Sequence, residues 1–109
     1  MTMTQKLDTI HHVAIQVNHI GQSVVWYTQR YACKVDYQDD TWAMLKFSNI
    51  SLALVLSDQH PYHISILADD LEPYGKAESH RDGTQFVYIQ DVDGNNIEML
   101  KMTGEKASI

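Results

Sequence analysis

Two histidines and one glutamate, His12, His63 and Glu98, stand at matching places in two similar runs of this 109-residue chain. Each half opens with a His on an apolar, alternating run, HHVAIQV at 11–17 and HISIL at 63–67, and the second half closes with a carboxylate in NNIEMLK at 95–101. Two imidazoles and one carboxylate suit a divalent iron or manganese ion that must keep positions open for substrate and oxygen. A carboxylate in mid-strand among apolar neighbours also needs a cation or hydrogen-bond donors around it. His11 falls in the opposite phase to His12 and reads as structural. His19, at a turn before a helix, reads as a capping or surface residue. His60 precedes Pro61 in a linker and reads as a surface residue, with the mouth of a cavity as its alternative.

Those residues need elements that carry distant parts of the chain to one place. Alternation over 10–17 sets Val13, Ile15 and Val17 on one face and His12, Ala14 and Gln16 on the other, which is a strand. Asn18 to Gly21 supplies turn and cap chemistry, and Val24, Val25, Tyr27, Thr28 and Tyr31 recur at helical spacing, predicting a helix over 22–32. Three β-prone runs follow at 34–38, 42–47 and 50–56, with Asp39-Asp40 and Ser48-Asn49 as hairpin turns. After a polar linker at 57–62 the pattern repeats in compressed form. A strand starts at His63, and 69–79, broken by Pro73 and Gly75, holds at best a short or distorted helix. A strand at 85–90, a tight turn at 91–95 and a last strand at 96–101 complete it. On that last strand Glu98 shares a face with Asn96 and Leu100, while Ile97 and Met99 point the other way. The fold class is α+β: two βαβββ units, about 9–57 and 62–102, the second with a shortened helix, in one domain spanning 1–109. The tails 1–8 and 102–109 are expected to fray.

Composition narrows the function classes. With 44% hydrophobic and 20% charged residues the chain is an ordinary globular protein. Its net charge is −6 and its basic residues are scattered, which argues against a nucleic-acid partner. No apolar run has the length of a membrane span. The opening MTMTQKLD lacks the basic and apolar segments of a secretory signal, and the single cysteine, Cys33, rules out an intrachain disulfide framework. The expected location is the cytoplasm, with Cys33 as a core or near-core thiol.

The segments HHVAIQVNHIGQSVVWYTQRYACKV and FVYIQDVDGNNIEML resemble the vicinal oxygen chelate superfamily, which includes glyoxalases, bleomycin-resistance proteins, methylmalonyl epimerases and extradiol ring-cleaving dioxygenases. The resemblance covers roughly residues 9–101. It rests on the opening His-Val-Ala frame followed by Ser23 and the pair Trp26-Tyr27, and on the ending Asp91-x-Asp93-Gly94-Asn95-x-x-Glu98. It implies paired βαβββ units forming a cup-shaped mixed sheet around a metal, with ligands at His12, His63 and Glu98. Members with four ligands carry a further Glu or Gln on the fourth strand, where this chain has Ala53, or Leu52 in the neighbouring register. A three-ligand site resembles the extradiol dioxygenases and lacks the usual glyoxalase base. The run His80-RDGTQF-Val87-Tyr88-IQ-Asp91 is similar to those enzymes too, and implies His80 as a second-sphere or substrate-side imidazole and Tyr88 as a cavity hydroxyl. Val92 stands where the family usually has Pro, and Glu78 where a small or β-branched residue is expected.

The leading expectation is a dioxygenase dependent on Fe(II) or Mn(II), with Ni(II) or Zn(II) as alternatives, acting on a small vicinal diol such as a catechol. His80 is the first candidate to move a proton and Tyr88 to stabilise an oxyanion. The second is a metal-dependent isomerase or lyase with Glu72, Glu78 or His60 as base. The third is a non-catalytic small-molecule binder with Trp26, Trp42, Tyr62 and Tyr88 around its pocket. A small-molecule partner and a homodimer are expected in every case, since exposed sheet edges favour being covered.

Overall fold

The computed structural model describes residues 6–102, so most of the two tails expected to fray lies outside the described residues. β1 (Ile10–Val17) alternates as its sequence requires. His12 and Ala14 are buried on one face, while Ile15 and Val17 pack on the other against a cluster built from Ile20, Val24, Ala43, Leu45 and Leu54. Ile20 and Val24 lie on one side of the helix α1 (Ile20–Arg30), whose apolar stripe covers that face of the sheet. His19 caps the helix as expected, its Nδ1 accepting the N–H of Gln22 at 3.2 Å. That cap starts the helix two residues before the stretch read from the apolar spacing, and the extended backbone of Tyr31 ends it.

The first unit continues through β2 (Lys34–Gln38), β3 (Trp42–Lys46) and β4 (Ser51–Leu56). The second has β5 (His63–Leu67), a 3-10 turn at Glu72–Tyr74, β6 (Glu78–Ser79), β7 (Gln85–Gln90) and β8 (Asn96–Lys101). Pro73 sits in the first turn of the 3-10 segment, where its missing N–H does no harm. No second long helix follows. Leu71 instead drops onto Val87 and Met99 to close that face. β6 is a two-residue strand with no periodicity to betray it in the sequence.

All eight strands form one curled mixed sheet in the order β2-β3-β4-β1-β5-β8-β7-β6, a cup with α1 on its outside. β1 pairs parallel with β4, β5 pairs parallel with β8, and the two units meet where β1 and β5 run antiparallel. The turn between β7 and β8 is held by Asp91, whose carboxylate accepts the N–H groups of Asp93 and Asn95, both at 2.9 Å. Gly94 there has φ +86°, a conformation that residues with a Cβ rarely adopt. This turn sets Tyr88 directly opposite Glu98. Among the described residues no helix is long and apolar enough to cross a membrane.

Candidate metal centre

Register alone lines up most of the polar groups inside the cup. One row across the sheet reads Ser51 on β4, His12 on β1, Ser65 on β5, Glu98 on β8 and Tyr88 on β7. The next row reads Ala53, Ala14 and His63. Neighbouring strands lie about 4.8 Å apart, so the backbones of His12 and Glu98 are roughly 10 Å apart with β5 between them. Ser65, fully buried at 0% exposure, is the residue in between. Its small side chain lets His12 and Glu98 lean over it until Nε2 of His12 stands 3.4 Å from Oε1 of Glu98.

Three donor atoms meet there. His12 Nε2 lies 3.4 Å from His63 Nε2, and His63 Nε2 lies 3.8 Å from Glu98 Oε1. All three side chains are buried, Glu98 to 1% exposure. Glu98 Oε1 has no hydrogen-bond partner of normal geometry, which is expensive for a buried carboxylate oxygen. A point about 2 Å from all three atoms exists inside this triangle, and that is the bond length from a divalent ion to an imidazole nitrogen or carboxylate oxygen. The donor set therefore fits such an ion in separation, in chemistry and in the oxygen it leaves unsatisfied.

The outer atoms of these side chains are also held. His63 Nδ1 is 2.9 Å from the carbonyl oxygen of Pro61. A carbonyl only accepts, so Nδ1 carries the proton and Nε2 presents its lone pair to the centre. The Tyr88 hydroxyl is 3.3 Å from the same Nδ1. His80 Nε2–H donates to Glu98 Oε2 at 2.7 Å, and its ring stacks on Phe86 at 3.9 Å. Burial alone would raise the Glu98 pKa, but the hydrogen bond from His80, the surrounding imidazoles and the Ser65 hydroxyl hold it at about 2. Burial pushes His12 the other way, down to about 3 against the pull of Glu98, so at neutral pH the ring is uncharged and the carboxylate ionised. Burial and the Glu98 charge push the Tyr88 phenol up, which keeps its hydrogen in place.

Around the centre is a cavity of about 500 Å³. Tyr37 stacked on Trp42 at 4.2 Å forms one aromatic wall and Phe86 with His80 another. Ala53, Met44 and Val55 make an apolar floor. Ala53 stands to His12 as Glu98 stands to His63: each lies opposite the residue two beyond its histidine on the paired parallel strand. The position in the first unit equivalent to Glu98 is therefore Ala53, not Leu52, and it is apolar. At the mouth, Asp39 in the β2–β3 hairpin accepts from Tyr37, Thr41 and Trp42, and Arg81 of the second unit reaches it at 2.8 Å.

The structure corrects the sequence reading in three places. His11 does not point away from the cavity. The pairing of β1 with β5 slips between Ile10 and His12, and this irregularity turns the His11 ring inward, Nδ1 to Nδ1 with His12 at 2.8 Å. His60 lines the cavity too, because Gln16 holds its carbonyl at 3.0 Å and folds the linker over the cup. Its ring lies 6.5 Å from that of His63 and 6.3 Å from that of His80, and burial lowers its pKa. Trp26 and Tyr62 are not in the main cavity. Trp26 is exposed on α1 beneath the Arg30 guanidinium, and Tyr62 is exposed beside a separate shallow depression. The signal missed was the concentration of histidine: five of the six in the chain line this cavity.

No family model and no curated protein sequence matches the chain. Solved structures do. One is a hypothetical protein from Bacillus halodurans C-125, with 16% identity over 92% of this chain and 98% of that one and a TM-score of 0.77. Another is a variant of Streptomyces coelicolor methylmalonyl-CoA epimerase in complex with 2-nitronate-propionyl-CoA, with 16% identity over 91% of this chain and 100% of that one and a TM-score of 0.75. A third is a glyoxalase/bleomycin resistance protein/dioxygenase superfamily member from Vibrio splendidus 12B01, with 15% identity over 87% and 99% and a TM-score of 0.65. At these identities the likeness is one of fold alone, and it is the fold expected from the resemblance to the vicinal oxygen chelate superfamily.

Proposed function

We propose that this protein is a metal-dependent enzyme that opens the ring of a small vicinal diol such as a catechol, with His12, His63 and Glu98 as the ligands of Fe(II) or Mn(II). The observation that carries this reading is the convergence of three donor atoms on one point, with Ala53 where a fourth donor would stand. When bound, the ion would hold both diol oxygens and dioxygen together and make the diol more acidic. In the overall reaction, the diol and O₂ combine, the ring carbon–carbon bond beside the diol breaks, and both oxygen atoms stay in the open-chain product.

The protein's own groups fit the remaining tasks. The aromatic walls of Tyr37, Trp42 and Phe86 and the floor at Ala53 would hold a flat apolar ring with its polar edge toward the three donors. His80 commits Nε2 to Glu98, so any proton it exchanges with substrate passes through Nδ1. Tyr88, kept neutral, is placed to donate its hydrogen to an oxygen that gains charge. The assembly inferred is a homodimer, because β2 and β6 end the sheet as edge strands, and the lone cysteine supports a cytoplasmic location.

A second reading is an isomerase or lyase of the glyoxalase type. His60 favours it: the ring reaches the cavity with a lowered pKa and could act as the base that Ala53 cannot supply. Oxygen uptake by the iron- or manganese-loaded protein on addition of simple catechols decides between the two. Uptake with formation of a yellow ring-opened product is the expected result. Metal-loaded protein that consumes no oxygen with any catechol, yet exchanges the α-proton of a carbonyl substrate with deuterium, would replace the first reading by the second.

A further inference from the structure

The outer contacts of the three donors differ in kind. Those of His63 and Glu98 have a fixed sense, since the Pro61 carbonyl can only accept and a carboxylate oxygen can only accept. At His12 the partner of the outer nitrogen is a group that can do either. Its Nδ1 faces His11 Nδ1 at 2.8 Å, the rings nearly perpendicular at 79° with centroids 5.0 Å apart. One of the two nitrogens must carry the hydrogen and the other the lone pair, so the pair has two arrangements. In one, His11 donates to His12, whose own hydrogen then sits on Nε2 and faces Glu98 Oε1 at 3.4 Å. In the other, His12 Nδ1–H donates to His11, and His12 Nε2 offers its lone pair to the centre. Converting one into the other changes which nitrogens carry hydrogen with no net gain or loss of a proton.

We infer that His11 is a positioning residue that selects the ligating tautomer of His12, accepting the Nδ1–H of His12 whenever an ion occupies the centre. The inference rests on the metal reading above. The local irregularity of β1 gives it a structural cause, because regular alternation would send the ring at position 11 out of the cup. It also accounts for a half-buried imidazole beside the centre that the three-donor set itself leaves unused. A fixed acceptor at the outer nitrogen orients a ligating ring and makes it a better base toward the ion. In the ion-bound arrangement His11 keeps its hydrogen on Nε2, as a donor on the cavity wall.

The test combines zinc affinity, measured by competition with a chromophoric chelator, with nitrogen-15 spectra of the histidine rings. His11→Phe keeps a ring but removes the acceptor, and zinc affinity should fall about 10- to 100-fold. His11→Asn restores an acceptor oxygen and should bind close to wild type. In the zinc-loaded wild-type protein, the spectra should place the hydrogen of His12 on Nδ1 and that of His11 on Nε2. Equal zinc affinity in all three proteins, or a zinc-loaded spectrum with the His11 hydrogen on Nδ1, overturns the role of His11 while leaving the centre intact. Wild-type protein that takes up no zinc overturns the metal reading itself. The wild-type spectrum needs no variant, so a misfolded His11→Phe would not shield the inference.

Discussion

The first unit lays the eleven-residue helix α1 over its strands, whereas the second has only a three-residue 3-10 turn and a two-residue β6 in the corresponding places. The chemistry is distributed the other way. The second unit supplies His63, Glu98, His80 and Tyr88, and the first supplies His12, His11 and an alanine where its own carboxylate would stand. The unit with the larger packed cluster acts as scaffold, and the compressed unit carries most of the polar machinery. A copied supersecondary unit can thus lose much of its own packing once β1 and β5 join the two into one sheet, because the neighbour then supplies the rigid edge on which the site is built.

Substitutions can break that contrast. In the first unit Leu54→Ala removes a fully buried side chain beneath α1 and should cost roughly 4 kcal/mol of unfolding free energy, against roughly 2 kcal/mol for Met99→Ala in the second. Urea titrations of the two variants measure this, and an equal or larger loss at Met99 would show that the second unit is no less a scaffold than the first. Ala53→Glu attacks the chemical half of the contrast by giving the first unit the carboxylate it lacks. A second buried carboxylate beside Glu98 should destabilise the metal-free protein by about 2 kcal/mol, and added zinc should reverse that loss. Calorimetry with and without zinc tests it, and a variant as stable as wild type in chelator would mean position 53 does not face the centre.

Smaller effects sharpen the picture at the seam. Ser65→Val suits a strand but puts bulk between His12 and Glu98, and should weaken zinc binding about tenfold with little change in fold. The pH dependence has a definite sign. His12 is lowered from 6.5 to about 3 and Glu98 from 4.5 to about 2. The unfolded chain therefore binds more protons than the folded one as pH falls, first at His12 from about 6.5 and then at Glu98 below about 4.5. The Tm of metal-free protein should drop by several degrees between pH 7 and pH 4. A Tm that rises over that interval would contradict the buried neutral imidazole.

Much of this was legible from residues alone. The period-two runs of β1 and β8 put His12 and Glu98 on cavity faces, and the Asp91–Asn95 turn announced the hairpin that sets Tyr88 against Glu98. The broken stretch around Pro73 announced the missing helix. What escaped has two causes, departure from periodicity and contact between residues distant in sequence. Alternation puts His11 on the wrong face because it cannot register a slip in pairing between two strands. His60 reads as a surface residue because the bond from Gln16 that folds its linker inward joins residues far apart in sequence. β6 is too short to show a period. The contact by which Arg81 ties the Asp39 hairpin across the mouth is likewise a product of tertiary proximity.

The central claim is that one divalent ion is held by groups from both units, and a metal titration of the purified protein with zinc or manganese tests it most directly when Glu98→Gln is run beside wild type. The account predicts one ion per wild-type chain and affinity at least about 100-fold weaker in the variant, with both proteins folded. Equal stoichiometry and affinity in the two proteins would contradict it.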